Sequence, residues 1–192
     1  AGRSFAAFAA CLMLACAVAI MTCCKDGAGP GSPELPRGRE QWLRLMSLLA
    51  VVALRSYGGV IMSFPWRAGA WAWIAALCVV GGKCIGGFAS DRFGEVRSAT
   101  VTLSAAAIAL IFSAFPLPGA LGLLLFNMSM PVTLYAARDI LREGRATAFG
   151  LLTLGLFLGM LPAFSGASGS GQDYAMICLI SIMLIRVGVG KR

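Results

Sequence analysis

The sequence predicts an all-α membrane protein, a polytopic helical bundle with seven transmembrane helices. Of its 192 residues, 59% are hydrophobic and only 12% are charged, whereas a soluble domain has about 25% charged residues. Such a chain cannot cover itself with polar surface, so a soluble globular protein is excluded. The sequence also contains seven apolar runs. Each is long enough to cross a bilayer, which takes about 20 mostly apolar residues.

Each apolar run is assigned to a helix, because the runs lack the alternation of barrel strands and a lone strand leaves its backbone unsatisfied in lipid. In chain order the runs are Phe5–Cys24, Trp42–Phe64, Ala68–Ser90, Ser98–Pro116, Pro118–Ala137, Ala146–Phe164 and Tyr174–Gly190.

The first run is separated from the others by the stretch Lys25–Gln41, which is rich in Gly, Pro and charged residues and is typical of a linker. The predicted organisation is therefore a last helix of an N-terminal bundle (1–24), a cytoplasmic linker (25–41) and a C-terminal six-helix bundle (42–192). The alternative for the first run is a secretory signal peptide. We expect instead that the chain begins within a longer protein, whose N-terminal half is its partner.

Lys and Arg residues outside the apolar runs predict the orientation, because cytoplasmic loops are enriched in them. Two, Arg3 and Arg67, fall on one side. Eleven fall on the other: Lys25, Arg37, Arg39, Arg44, Arg92, Arg97, Arg138, Arg142, Arg145, Lys191 and Arg192. The second side is expected to be cytoplasmic, with Ser165–Asp173 external. The expected location is a multi-pass position in a bacterial inner membrane.

The sequence offers no metal site, cofactor site or catalytic residues. It has no His, and five of its seven Cys lie inside apolar runs without ligand spacing. The net charge of +8 is dispersed between apolar runs and forms no basic domain, so nucleic acid is not an expected partner. An intramembrane enzyme is therefore disfavoured. Acylation of Cys23 and Cys24 remains an alternative to their being small apolar residues.

The turn between the third and fourth runs carries the most specific motif, Gly87-Phe-Ala-Ser-Asp91-Arg92-Phe-Gly94-Glu-Val-Arg97. A glycine at 87 permits close helix approach, and one at 94 permits a sharp turn. Asp91 is suited to a helix N-terminus, and Arg92 to carboxylates or helix C-terminal carbonyls. Contacts of this kind would lock one conformation and break in another. The alternative is a positively charged turn without a gating role.

This turn resembles motif A of the major facilitator superfamily, G-x-x-x-D-R-x-G-R-[KR], in four positions: Gly87, Asp91, Arg92 and Gly94. Non-basic residues after Gly94 are similar to the degenerate second copy in the C-terminal half of these transporters. That copy joins helices eight and nine of twelve, so the resemblance implies that the seven runs are helices six to twelve. The stretch Ser129–Thr133, with Gly150-Leu-Leu later, is similar to drug-efflux members, including the fosmidomycin-resistance type.

Arg55 is the first candidate substrate-binding residue. It lies about 20 Å along the helix axis from Trp42, too deep to reach water easily. Gly58 and Gly59, at i+3 and i+4, leave room beside its guanidinium. We expect it to face a central cavity and to favour anionic or strongly polar substrates. The alternative is a structural Arg satisfied by helix carbonyls or by a partner in the missing half.

Asn127 and Tyr135 are the other candidate substrate-binding residues. Pro131 cannot donate to the carbonyl of Asn127, so a kink is expected there. Asn127, Pro131 and Tyr135 would then share one face lining the cavity, with a plain kink as the alternative. Lys83 is expected to extend towards the cytoplasmic end of its helix. Two GxxxG pairs, at 82–86 and 155–159, predict helix contacts rather than ligand sites.

The predicted function is secondary-active transport of a small solute by alternating access, with efflux the expected direction, as an antiporter or symporter. No Asp or Glu lies deep in an apolar run, so a coupling carboxylate is expected in the missing half. The expected partners are the substrate and the lipid bilayer. The alternative is a non-transporting polytopic receptor or scaffold.

Overall fold

The computed structural model describes residues 39–141, 145–165 and 169–189, and every regular element in these ranges is helical. The predicted helix at 5–24 and the linker up to residue 38 lie outside the described residues. The helices are α1 (Arg39–Ile61), α2 (Ala70–Phe93), α3 (Glu95–Ile111), α4 (Pro116–Asn127), α5 (Met130–Ile140), α6 (Arg145–Met160) and α7 (Gly171–Val189), with a 3-10 helix at Leu161–Ser165 after α6.

The all-helical fold class is confirmed for the described residues. Four stretches are long and apolar enough to cross a bilayer: Arg39–Ile61, Ala70–Phe93, Pro116–Ile140 and Gly171–Val189. The helices α3 and α6 are shorter, with 17 and 16 residues. Several long apolar helices fit a membrane protein, while the total of seven spans stays a prediction.

The first described helix begins three residues before the predicted boundary at Trp42. Glu40 lies in its first turn and forms an ion pair with Arg44, one turn further on. An acidic residue is favourable at a helix N-terminus, and a Glu–Arg pair at i,i+4 supports the helix. The predicted linker therefore ends earlier than the hydropathy indicated, because hydropathy does not detect a polar first turn.

The fifth apolar run forms a 25-residue helical stretch that is interrupted just before Pro131, where a kink was predicted. The first, α4, ends at Asn127, and α5 starts at Met130 with Pro131 in its first two positions. Proline is tolerated there because the first N–H groups of a helix have no intrahelical partner. Two residues, Met128 and Ser129, thus separate the helices in the middle of a 25-residue apolar stretch.

Glycines bring two pairs of helices into close contact. A Cβ on Gly82 would lie 2.3 Å from the Leu124 carbonyl oxygen, and one on Gly86 would lie 2.2 Å from the Met128 oxygen. At the other pair, a Cβ on Gly159 would lie 2.1 Å from the Ala53 oxygen. The predicted helix contacts of both GxxxG pairs are thereby confirmed, between α2 and the α4–α5 region and between α6 and α1.

The main hydrophobic cluster lies among α1, α3, α4 and α7, and a smaller one joins α1 to α5 and α6. The helix α1 therefore contributes to both. At one end of the bundle, the Ile61 carbonyl accepts hydrogen bonds from Gly169 N and the Tyr174 hydroxyl. Trp66 Nε1 donates to the Ser113 carbonyl at this same end. These bonds tie together the loops opposite the α2–α3 turn.

Large apolar side chains also cover the outside of the bundle, and α2 is the most exposed of the four long apolar stretches. Trp73 and Phe88 on this helix are 77% and 78% exposed. A soluble monomer rarely leaves so much contiguous apolar surface in water. This exterior fits a lipid environment.

Candidate ligand cavity

A cavity of about 470 Å³ lies on one side of α1. This volume is within the range of about 300–1,000 Å³ that is usual for small-molecule sites. Its lining comes from α1, α2, α4, α5 and α6 and from Met62 and Arg67 in the α1–α2 loop, and no lining residue belongs to α3 or α7. The helices α3 and α7 pack against each other and against α4 and α1, respectively.

Arg55 lines this cavity from α1 although its side chain is only 8% exposed. Its Nη1 donates a hydrogen bond to Ser129 Oγ at 2.8 Å. Its guanidinium carbon lies 5.3 Å from the centre of the Phe126 ring, within cation–π range. A guanidinium has five N–H donors. This single bond to a described residue leaves most of that capacity for the cavity.

Ser129 is the residue at this site that the sequence reasoning missed as a partner. It is fully buried, and its hydroxyl donates to the Phe126 carbonyl while accepting from Arg55. It lies in the two-residue interruption between α4 and α5, 74 positions from Arg55. The sequence signal for Ser129 was a small polar residue two positions before a proline. Its contact with Arg55 could be recognised only in the tertiary structure.

Two further basic side chains, Arg67 and Lys83, line the same cavity. Lys83 is an exposed residue of α2 in this lining, and its extension towards the cytoplasmic end stays a prediction. No Asp or Glu is among the lining residues, so the described wall carries three positive charges and no negative charge. Such a wall favours negatively charged ligands.

The neutral polar side chains of the wall donate hydrogen bonds to nearby backbone carbonyls. The hydroxyls of Ser56, Thr133 and Thr153 donate to the carbonyls of Leu156, Met130 and Phe149, respectively. Asn127 donates from its amide to the Leu123 carbonyl. In this arrangement the basic side chains are the main donors left for a ligand.

The two glycines beside Arg55 differ from each other. A Cβ on Gly58 would lie 3.3 Å from the Phe126 ring and 3.5 Å from Ile177, so that glycine serves packing rather than a ligand. Gly59 has no atom within 4 Å of an added Cβ, and it lines the cavity. The expected room beside Arg55 therefore exists at Gly59 alone.

Asn127, Pro131 and Tyr135, which were predicted to share a face lining the cavity, do not all line it. Asn127 lines the cavity, whereas Pro131 and Tyr135 do not. Tyr135 is 46% exposed, and its ring lies 6.0 Å from the guanidinium carbon of Arg138. The i, i+4, i+8 relation holds only in a continuous helix. The regular helix is interrupted at Met128 and Ser129, and the substrate-binding role of Tyr135 stays a prediction.

The motif-like turn lies at the joint between α2 and α3. Gly94 has a φ of +84°, the left-handed region in which glycine is favoured, so the expected sharp turn is confirmed. Gly87 has no atom within 4 Å of an added Cβ, and the close helix approach occurs at Gly86 instead. Asp91 and Arg92 are exposed. Their gating role stays a prediction.

Within the described ranges, no group of three or more potential ligands could hold a metal ion, and Cys78, Cys84 and Cys178 are free thiols. The chain matches no protein-family model, no curated protein and no solved structure.

Proposed function

We propose that this chain is the C-terminal part, helices six to twelve, of a secondary transporter of the major-facilitator type. It would move a small solute across a bacterial inner membrane by alternating access, in the efflux direction. The observation that carries this proposal is the cavity, in which a buried Arg faces a ligand-sized space inside a bundle with lipid-compatible helices.

A buried guanidinium without a carboxylate supports a solute pathway rather than a scaffold. A charge taken out of water costs several kcal/mol unless it is compensated. The described residues compensate Arg55 with one hydroxyl and one aromatic face. Ionisable groups at such depth are retained mainly where they contact substrates, ions or water.

The cavity is also open to the surface on one side. Phe149 and Leu134 line it, yet they are 63% and 45% exposed, and Lys83 and Arg67 are exposed as well. A second bundle placed against this side would close the cavity, as two-bundle alternating access requires. The glycine contacts described above would let α1–α6 and α2–α4 move as rigid pairs.

The test is an untargeted transport assay on the full-length protein. Everted membrane vesicles containing it are incubated with an isotope-labelled cell extract under an imposed ion gradient, and the accumulated solutes are identified by mass spectrometry. We expect at least one solute to accumulate only in vesicles with the protein, and an ionophore to abolish its accumulation. If no solute accumulates although the protein is inserted, a receptor or scaffold role replaces transport.

A further inference from the structure

We infer that the cavity takes an amphipathic organic anion: a soluble molecule with one carboxylate or phosphate group on an apolar body. Its charged group would lie against Arg55 and Lys83, and its body against the apolar lining. As a statement about substrate this inference rests on the proposed transport function. The binding that it requires is measurable without transport.

The charge of the ligand follows from the composition of the wall. Three lining residues are basic and none is acidic. The lining hydroxyls donate to backbone carbonyls. The oxygen atoms of these hydroxyls therefore offer only lone pairs to the cavity, and lone pairs do not bind an anion or another hydrogen-bond acceptor. Binding through Arg55 and Lys83 thus requires an acceptor, and an ionised acceptor is the strongest.

The apolar body follows from the rest of the wall. Ten of the 18 lining residues are aliphatic, Met or Phe, among them Leu123, Phe126, Leu134 and Phe149. A small inorganic anion would leave most of this surface in contact with water. An organic body would bury this apolar surface, which is favourable.

The size of the cavity points the same way. Its volume of about 470 Å³ is that of a site for a drug-sized molecule. The side of the cavity with Phe149 is open, whereas Arg55 is buried at its inner wall. A ligand with its charge inward and its apolar body towards the opening matches this polarity.

Three probes of related shape separate charge from apolar contact: 1-naphthylacetate, its neutral amide 1-naphthylacetamide, and acetate. Binding to the purified full-length protein in nanodiscs is measured by equilibrium dialysis at pH 7. We expect saturable binding of 1-naphthylacetate. Binding of the amide should be at least about tenfold weaker, since it loses the charge-assisted contacts. Acetate should also bind at least about tenfold more weakly, since it lacks the apolar body.

Two substitutions with matched controls locate the contacts. Lys83→Gln should weaken the binding of 1-naphthylacetate about tenfold and leave the affinity for the amide within about twofold of its original value. The control Arg186→Gln, at an exposed position of α7 outside the lining, should change neither affinity. Phe149→Ala should weaken the binding of both naphthyl probes about fivefold. The control Phe157→Ala, two turns along the same helix and outside the lining, should leave both affinities unchanged. Lys83 and Phe149 are exposed, so folding does not depend on them.

Equal affinity for the acid and the amide would overturn the inference, and so would equal effects of Lys83→Gln and Arg186→Gln. Nanodiscs of neutral and of anionic phospholipid provide a further arm. The same affinity in both supports a soluble ligand, whereas loss of binding in the anionic lipid alone would assign the cavity to a lipid headgroup and overturn the inference. Binding of 1-naphthylacetate without any vesicle transport would refute only the transport function. Transport of a neutral or cationic solute, without naphthylacetate binding, would refute only the ligand class.

Discussion

Two charged regions of this molecule, the cavity around Arg55 and the turn with Asp91 and Arg92, are organised in opposite ways. Arg55 is buried, and its partners come from the interruption between α4 and α5, far along the chain. Asp91 and Arg92 are exposed, and neither side chain makes a hydrogen bond or ion pair with another described residue.

The difference indicates where each charge acts. Described residues of the bundle surround Arg55, so a substitution there should change both ligand binding and the stability of the bundle. A contact that makes Asp91 a gate must involve a partner outside them, such as a second bundle. Substitutions in the cavity and in the turn should therefore affect stability and transport in different proportions.

Sidedness gives the largest contrast, because labelling is all or none. In a Cys-free full-length protein, an impermeant thiol reagent added outside intact cells should label Ser63→Cys, in the loop after α1, and not Arg97→Cys, after the motif-like turn. Both positions are exposed. The expectation rests on the eleven-to-two distribution of Lys and Arg. The reverse pattern would invert the orientation, and would place the turn outside.

Arg55→Met should reduce transport by about tenfold to a hundredfold, since a hydrogen bond to a charged group contributes about 1.5–3 kcal/mol. The thermal unfolding temperature should stay equal or rise, because the desolvation of a buried charge is removed and Ser129 keeps its bond to the Phe126 carbonyl. Solute flux and unfolding are measured on the same preparation. A large fall in stability with normal flux per folded molecule would make Arg55 structural.

Asp91→Asn should slow transport by about tenfold or more in the full-length protein, through loss of a charge-assisted contact. Its unfolding temperature should not change, since Asp91 is exposed. Initial flux and the unfolding temperature are again compared. Full activity of this variant would reduce the turn to a charged loop that sets topology.

Gly86→Ala and Gly87→Ala form a matched pair at the edge between the packed bundle and the turn. The first should lower the free energy of unfolding by about 1–3 kcal/mol, because its Cβ would meet the Met128 backbone. The second should be neutral or stabilising, since its Cβ meets nothing and Ala favours helix by about 1 kcal/mol. Unfolding in detergent is followed by circular dichroism. Equal destabilisation would show that Gly87 is packed as well.

Ser129→Ala should have the smallest effect, a loss of about 1 kcal/mol in ligand binding, or roughly fivefold in Kd. Arg55 loses the hydroxyl that positions it, but keeps its charge and the Phe126 ring. The control is Ser47→Ala on α1, which also removes a buried serine hydroxyl, one that donates to the Arg44 carbonyl. An equal effect of the two variants on the Kd of 1-naphthylacetate would remove the positioning role from Ser129.

Hydropathy alone determined that the described part of the chain is helical and where most of its helices lie, because a bilayer requires long apolar helices that satisfy their own backbone. Local chemistry also determined the turn at Gly94 and the tight contacts of Gly86 and Gly159, since a missing Cβ has the same consequence in any fold. The helix ends were less well determined, because polar first turns such as that of α1 do not register as apolar.

Only the tertiary structure decided which charges share the cavity. Arg55 was singled out by its depth, but its partner Ser129 is 74 positions away, and no spacing rule connects them. That Lys83 lines the same cavity could not be predicted either, because its rotation about the helix axis depends on how α2 packs against α4. Tyr135 lies outside this cavity lining, and its role as a substrate-binding residue stays a prediction. Helix packing and a two-residue break set side-chain direction, and a single sequence encodes neither in a local pattern.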